Sequence, residues 1–421
     1  MGTYIDVLAR TVWKAPLLAA GPTATNQEGD ETIDVITHSD SVEAAEHNLS
    51  SCGTFPVLTS ADIERKIQIY RQMSQTVPYS FEAWSHLGYY LAQADQCLEA
   101  IEAYVKALQI RSKAPRIWYN YATLLEKMGW YGEAVSSYQE ALAISPDYFK
   151  AMYGKSKSLY RLGRYQEAVD SYDQAIASPM AEGALAAELW YGRGKAFYRL
   201  QQLDEALASL EQALAILQAI GLGSEPSAHK VWASLGQVLM SQRKDAAALE
   251  KFDRAIALAP TSALYWTHKG FLLKRLGRYE EALAAFDEAL ALGHTVARIW
   301  HHRGLTLMKI KRYPEAHHSF TQALKHQAYD YKSWLSLAWA LEKMGDYNLA
   351  IEAYNKSLAI EPDQSFAFYQ QARCYAVLQQ PSSAAEYLRR AIALHPEAYA
   401  PRSKVDPVFR EVQSRAMLLG R

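Results

Sequence analysis

The chain of 421 residues is 50% apolar with a net charge of −1, enough for two or three ordinary cores and with no overall charge to draw nucleic acid or an anionic membrane. Three cysteines, Cys52, Cys97 and Cys374, are too few and too scattered for a disulfide framework or a zinc site, and they fit a reducing, cytoplasmic setting. Arg10 and Lys14 interrupt the first apolar run, so no clean secretory core forms, and no later stretch approaches the roughly 18 apolar residues of a spanning helix.

Residues 1–60 hold eight Asp or Glu against Arg10 and Lys14, a net of −6 that leaves +5 for the rest. They show no hydrophobic period, and the composition of "GPTATNQEGDE" predicts a flexible acidic arm. Next, "ADIERKIQIYRQMSQTVPYS" reads as a second helix without its first. From there a period of 34 takes over. Trp84, Trp118, Trp190, Trp232, Trp266, Trp300 and Trp334 mark it, Met152 takes the Trp place between Trp118 and Trp190, and insertions of 4 and 8 residues flank the fourth unit. "WYNYATLLEKMG" at Trp118 and "WLSLAWALEKMG" at Trp334 therefore stand six units apart.

Each unit sets a small residue four places after the Trp, an Ala twelve places later, an aromatic or Leu four on, and Ala or Ser three beyond. These spacings are helical. Small residues let paired helices approach closely, and a Trp or Tyr is expected to fill the gap beside them, which makes the Trp set core spacers. Gly129, Gly163, Gly277 and Gly345 mark the end of a first helix. "LQAIGLGSEPSAHK" reads as a loop after a lengthened helix, and "YAPRSKVDPVFREVQSRAMLLGR" as a closing cap with a helix after Asp406-Pro407.

This pattern resembles the tetratricopeptide repeat over about four-fifths of the chain, with nine units starting near Phe81, Pro115, Phe149, Ala187, His229, Ala263, Ala297, Tyr331 and Ser365. The resemblance implies an all-α, right-handed solenoid of helix–turn–helix units: an arm at 1–60, the solenoid with its leading half unit at 61–398, and a cap at 399–421.

Catalytic signatures are missing from the sequence: it contains no HExxH, GxSxG or GxxxxGK[ST]. "GRGKAF" at Gly192–Phe197 falls inside a first helix, where Gly194 takes the ordinary small-residue place. Seven of twelve histidines lie between His268 and His326, but His301 and His317 fall on different helices and faces, so they read as solvated surface residues rather than a metal site. No cofactor is expected.

In the family, positions 2, 5, 9 and 12 of each unit line the concave side and hold an extended peptide or a partner's helix. Carried over by position, these include Arg116 and Tyr119, then Lys150, Tyr153, Lys157 and Tyr160, then Tyr191, Lys195 and Tyr198, and further on Phe271, Lys274 and Trp339. Tyrosine offers apolar area at low entropic cost and lysine a point charge for carboxylates. No three consecutive units supply the Lys and Asn set of the chaperone-binding members, so chaperone C-termini are not expected partners. The expected function is a non-enzymatic protein-interaction scaffold, adaptor or assembly factor for an acidic or aromatic-containing partner segment, without nucleic-acid binding or membrane insertion. The alternative is an autoinhibited regulator whose acidic arm occupies the groove.

Overall fold

The computed structural model describes residues 59–223 and 228–410, so the acidic arm expected at 1–60 lies outside them apart from its last two residues. Twenty α-helices and one short 3-10 turn account for most of the described residues, with no strand among them. The chain divides after Gly223 into two compact bodies.

In the N-terminal body α1 (Ser60–Thr76) precedes four helix pairs: α2 (Phe81–Gln93) with α3 (Cys97–Ile110), α4 (Pro115–Lys127) with α5 (Tyr131–Ile144), α6 (Phe149–Arg161) with α7 (Tyr165–Ile176), and α8 (Gly183–Arg199) with α9 (Leu203–Ala219). Thr59 and Asp62 form a reciprocal capping box that starts α1. Both insertions lengthen a helix: α8 gains a turn at its start, and α9 reaches 17 residues.

The C-terminal body has five pairs and a cap: α10 (His229–Ser241) with α11 (Asp245–Leu258), α12 (Ala263–Arg275) with α13 (Tyr279–Ala291), α14 (Ala297–Lys309) with α15 (Tyr313–His326), α16 (Tyr331–Met344) with α17 (Tyr347–Ile360), α18 (Ser365–Val377) with α19 (Pro381–Leu394), and finally α20 (Pro396–Val405). Pro381 and Pro396 each open their helix, where a missing N–H leaves no bond unmade. The described capping helix therefore precedes Asp406-Pro407, and the expected helix beyond it lies outside the described residues from 411 on.

Counting the nine repeats from the starts given above, position 15 has positive φ in every one. It follows the first helix, donates to the carbonyl three residues back, and passes the chain on so that position 16 donates five residues back, as in Trp130 to Leu125 at 2.8 Å. This is the Schellman closure, and glycine fits it at no steric cost. Four repeats carry that glycine, but Asp95, Gln201, Arg243, Lys311 and Gln379 adopt φ of 58–63° with a side chain. Replacing each of these five by Gly is expected to stabilise the chain by about 0.5–1 kcal/mol, the relief of left-handed strain less the added freedom of the unfolded chain. Unchanged urea midpoints would mean that these turns are relaxed as they stand.

The Ala at position 20 is fully buried in all nine repeats, as is the small residue at position 27. The gap beside position 8 is filled by the second-helix residue at position 24, not by the Trp. A methyl group added to Gly236 would lie 2.7 Å from the Phe252 ring, and 2.6 Å separates the same pair at Gly270 with Phe286 and Gly304 with Phe320. Of the seven marker Trp residues only Trp118 is buried, and the other six are half-buried. Their work is at the boundary with the preceding repeat. The Nε1 of Trp84, Trp118, Trp266 and Trp334 donates to a carbonyl six residues earlier, at 2.8–2.9 Å.

A cation at position 7 lies over the Trp ring and pairs with an Asp from the preceding repeat: Arg193 with Asp173, Lys269 with Asp253 and Arg303 with Asp287, all at 2.6–2.7 Å. Arg193 and Arg303 also donate at 2.7 Å to Ser209 and Ser319 on their own second helix. Each such arginine therefore ties three helices.

Candidate functional site

In the N-terminal body the first helices α4, α6 and α8 bring most of the expected binding residues onto successive turns of one helix face. Positions 5, 9 and 12 share that face because they step by about one helical turn. Arg116 and Lys150 are exposed at position 2, while Tyr119, Tyr153, Lys157, Tyr160, Tyr191, Lys195 and Tyr198 are partly exposed. Tyr119 lies 5.9 Å from the Tyr138 ring and 5.3 Å from that of Tyr148. Lys195 sits over the rings of Tyr160 and Tyr191, at 5.0 and 5.7 Å.

The face also carries carboxylates. The Tyr153 hydroxyl donates to Glu188 Oε2 at 2.6 Å, and its burial, reinforced by Glu188, pushes its pKa well up. Lys157 lies 3.3 Å from Glu126, which also accepts from the Tyr138 hydroxyl at 3.1 Å. Tyr138 and Tyr172 reach across to the next repeat because position 6 there is Gly154 or Gly192. A methyl group on Gly192 would fall 2.5 Å from Tyr172, and Gly154 is as tightly covered by Tyr138. Glycine here makes room for a tyrosine rather than for a turn.

In the C-terminal body, Phe271 packs edge-on against Phe286 and His302, with the Arg298 guanidinium 5.0 Å from its ring. Lys274 Nζ lies 2.8 Å from His302 Nδ1. Burial, then Arg298 and Lys309, lowers the Lys274 pKa. Trp339 packs on an apolar cluster that includes Leu307 and Phe320.

Of the histidines expected to be solvated, His318 and His326 are exposed, but His268, His301 and His302 are packed between repeats. His268 stacks on Phe252 at 5.0 Å, and burial, then Arg298 and His294, holds its pKa down to about 4. Burial, then Lys274, His301 and Arg298, takes His302 down to about 2. His301 bonds Ser333 at 2.8 Å. They face neighbouring repeats, which burial favours only for the neutral imidazole. Among the described residues no group of three or more His, Cys, Asp and Glu side chains is placed to hold a metal ion. No described helix is long and apolar enough to cross a membrane.

The ninth repeat holds a constellation outside the expected residues. Tyr369 and Arg373, at positions 5 and 9 of α18, both reach Asp406 Oδ2, at 2.9 and 3.3 Å. Phe409 is fully buried with its ring edge-on to Tyr369 at 5.6 Å. Arg373 also lies 3.8 Å from Glu342, which accepts from Tyr354 and Gln370 at 3.2 Å. Burial raises the Glu342 pKa despite Arg373. The position rule applied to the ninth unit would have found Tyr369 and Arg373.

Several models of the tetratricopeptide repeat match the chain, at residues 115–148, 153–219, 215–263, 263–294, 331–364 and 366–398. Among curated proteins none matches the chain. Solved structures similar to it include YrrB, a TPR protein with an unusual peptide-binding site (22% identity, 41% of this chain and 90% of that one, TM-score 0.40). Another is the C-terminal part of a TPR repeat-containing protein from Cytophaga hutchinsonii, at 17% identity over 60% of this chain and 98% of that one, TM-score 0.49. A tetratricopeptide repeat protein from Parabacteroides merdae is 15% identical over 65% of this chain and 99% of that one, with a TM-score of 0.45. With the 34-residue period, the paired helices and the matches to the repeat's own sequence models in agreement, the chain belongs to the tetratricopeptide-repeat family.

Proposed function

We propose that the protein is a non-enzymatic interaction scaffold whose N-terminal body binds an extended segment of a partner protein along the first helices of repeats 2–4. The observation that carries this reading is the row of partly exposed tyrosines interleaved with lysines on one face, at Tyr153, Lys157, Tyr160, Tyr191, Lys195 and Tyr198. Such rings bring large contact area with few torsions to freeze, and they are typical binding anchors. The lysines favour a segment with acidic residues, although Glu126 and Glu188 temper that preference and help to set the register.

Affinity capture followed by mass spectrometry would identify the partner, and variants would then locate its seat. Lys150→Glu with Lys195→Glu is expected to slow association, with an effect that shrinks as salt screens the charges. Tyr160→Ala and Tyr198→Ala are expected to speed dissociation, at a cost of about 1–2 kcal/mol each. A partner that binds all four variants as tightly as the unaltered chain, with melting curves unchanged, places the site elsewhere.

A further inference from the structure

The first helices of repeats 5–7, α10, α12 and α14, contain no Asp or Glu. The acids that meet their cations Lys269, Arg275 and Arg303 come from second helices, as Asp253, Asp245 and Asp287. Lys274 stands apart from that arrangement. It occupies position 12 of repeat 6, and among the described residues no carboxylate forms an ion pair with it. Its ammonium donates instead to His302 Nδ1 of the next repeat, at 2.8 Å. That bond uses one of the three ammonium N–H groups and leaves the imidazole proton on Nε2.

Elsewhere the chain fills the same place with an acid. Position 12 of repeats 2 and 8 holds Glu126 and Glu342, and the cation at position 9 of the next repeat lies beside each, Lys157 at 3.3 Å and Arg373 at 3.8 Å. In repeat 6 the sign is reversed, and position 9 of the next repeat is the apolar Leu305. Further positive charge gathers there. Arg298 and Lys309 both act on Lys274, and Lys274 and Lys332 act together on His301. Phe271 packs edge-on to His302 at 4.6 Å and gives the pair an apolar floor. Asp330, the carboxylate that acts on His301, caps α16 by accepting from Lys332 N and Ser333 N at 3.1 and 3.2 Å. Like charges gathered on a half-buried surface repel one another, and a bound anion relieves that repulsion.

We infer that Lys274 and His302 form a seat for the phosphoryl group of a phosphorylated partner segment, laid across α12 and α14 with Lys309 and Lys332 at its margins. A phosphoryl group carries close to two negative charges and three acceptor oxygens on one small head. It therefore accepts from the Lys274 ammonium, whose bond to His302 is kept, while its second charge answers the surrounding cations. A carboxylate brings one charge and one oxygen fewer. The seat lies in the C-terminal body and shares no residue with the tyrosine and lysine row of repeats 2–4, so its failure leaves the function proposed above intact.

The test is a fluorescein-labelled peptide with one phosphoserine between Gly and Ala residues, titrated into the full chain and read by anisotropy. Saturable binding is expected, weakened about tenfold or more by Ser in place of the phosphoserine or by Lys274→Gln in the chain, and kept by Lys274→Arg. A peptide with Glu at that place is expected to bind more weakly than the phosphoserine peptide. Should Lys274→Gln fail to fold, Lys309→Gln with Lys332→Gln alters two exposed side chains instead and is expected to weaken binding about threefold. A benzophenone beside the phosphoserine is expected to crosslink to α12 and α14. The absence of saturable binding, equal binding by the Ser or Glu peptide, or crosslinks confined to α6 and α8 overturns the inference. So does binding to vesicles that contain phosphatidylinositol phosphates when the peptide fails, because the ligand is then a lipid headgroup.

Discussion

Phe252→Ala is expected to destabilise the C-terminal body by about 3–5 kcal/mol, and Trp232→Ala by distinctly less. Phe252 is fully buried between the bare backbone of Gly236, on its own first helix, and the His268 ring of the next repeat. Removing its ring opens a cavity with stiff walls, because neither Gly236 nor a stacked imidazole can move in to fill it. Trp232, by contrast, is half-buried with the Lys251 ammonium 5.4 Å from its ring, so its loss leaves a dent that water can enter. The complementary change, Gly236→Ala, forces a methyl group onto the same ring and is expected to cost about 1–3 kcal/mol. Urea unfolding of the three variants provides the check. A larger loss for Trp232→Ala than for Phe252→Ala would show that the Trp, after all, holds the repeat together.

Acid is expected to weaken the C-terminal body through His268 and His302. An unfolded chain protonates histidine near pH 6.5, whereas these two stay neutral in the fold down to about 4 and about 2. Their neutral forms therefore contribute stability in full above about pH 6.5. It is lost as pH falls through the window, because the unfolded state binds protons that the fold refuses. Each histidine removes about 1.4 kcal/mol per pH unit in that window, or about 4 kcal/mol for the pair between pH 7 and 5. Gln237, Lys274, Arg298, His294 and His301 surround the two rings or act on them, and none of them is a carboxylate that would hold the imidazolium. The measurement compares unfolding free energies at both pH values for the unaltered chain and for His268→Gln with His302→Asn. The double variant is expected to be much less acid-sensitive. Equal sensitivity would show that the rings titrate freely in the folded protein.

The period, the helix pairs and the turns between them were legible in the sequence because close helix approach demands small residues at fixed places. Direction was harder to read. Periodicity singles out Trp232 and Phe252 equally, but it does not say which one points between its own two helices and which toward the repeat before. His268 and His302 differ from the solvated expectation for a related reason. His268 shares position 6 with Gly154 and Gly192, where the second helix of the preceding repeat covers it, and His302, at the same position, is covered by Phe271 and Lys274 of the preceding repeat's first helix. Seen along one helix alone position 6 looks like open surface. Tyr369 and Arg373 stand where the position rule puts them, but their partner Asp406 lies more than thirty residues on, beyond the last repeat, where the period gives no guidance.

The arginine and lysine ties across repeat boundaries make stability a property of neighbours. Arg193 and Arg303 each fasten a Trp and a second-helix Ser of their own repeat to an Asp of the one before. Each bond is modest taken singly, being partly exposed. None of them can form, however, until both repeats stand. Within a body the chain therefore behaves like a short row of coupled spins, in which an isolated folded repeat is disfavoured and a domain wall between folded and melted stretches is costly. Walls are cheapest to place at the ends of the row, so melting advances inward from the terminal repeats while the interior stays locked.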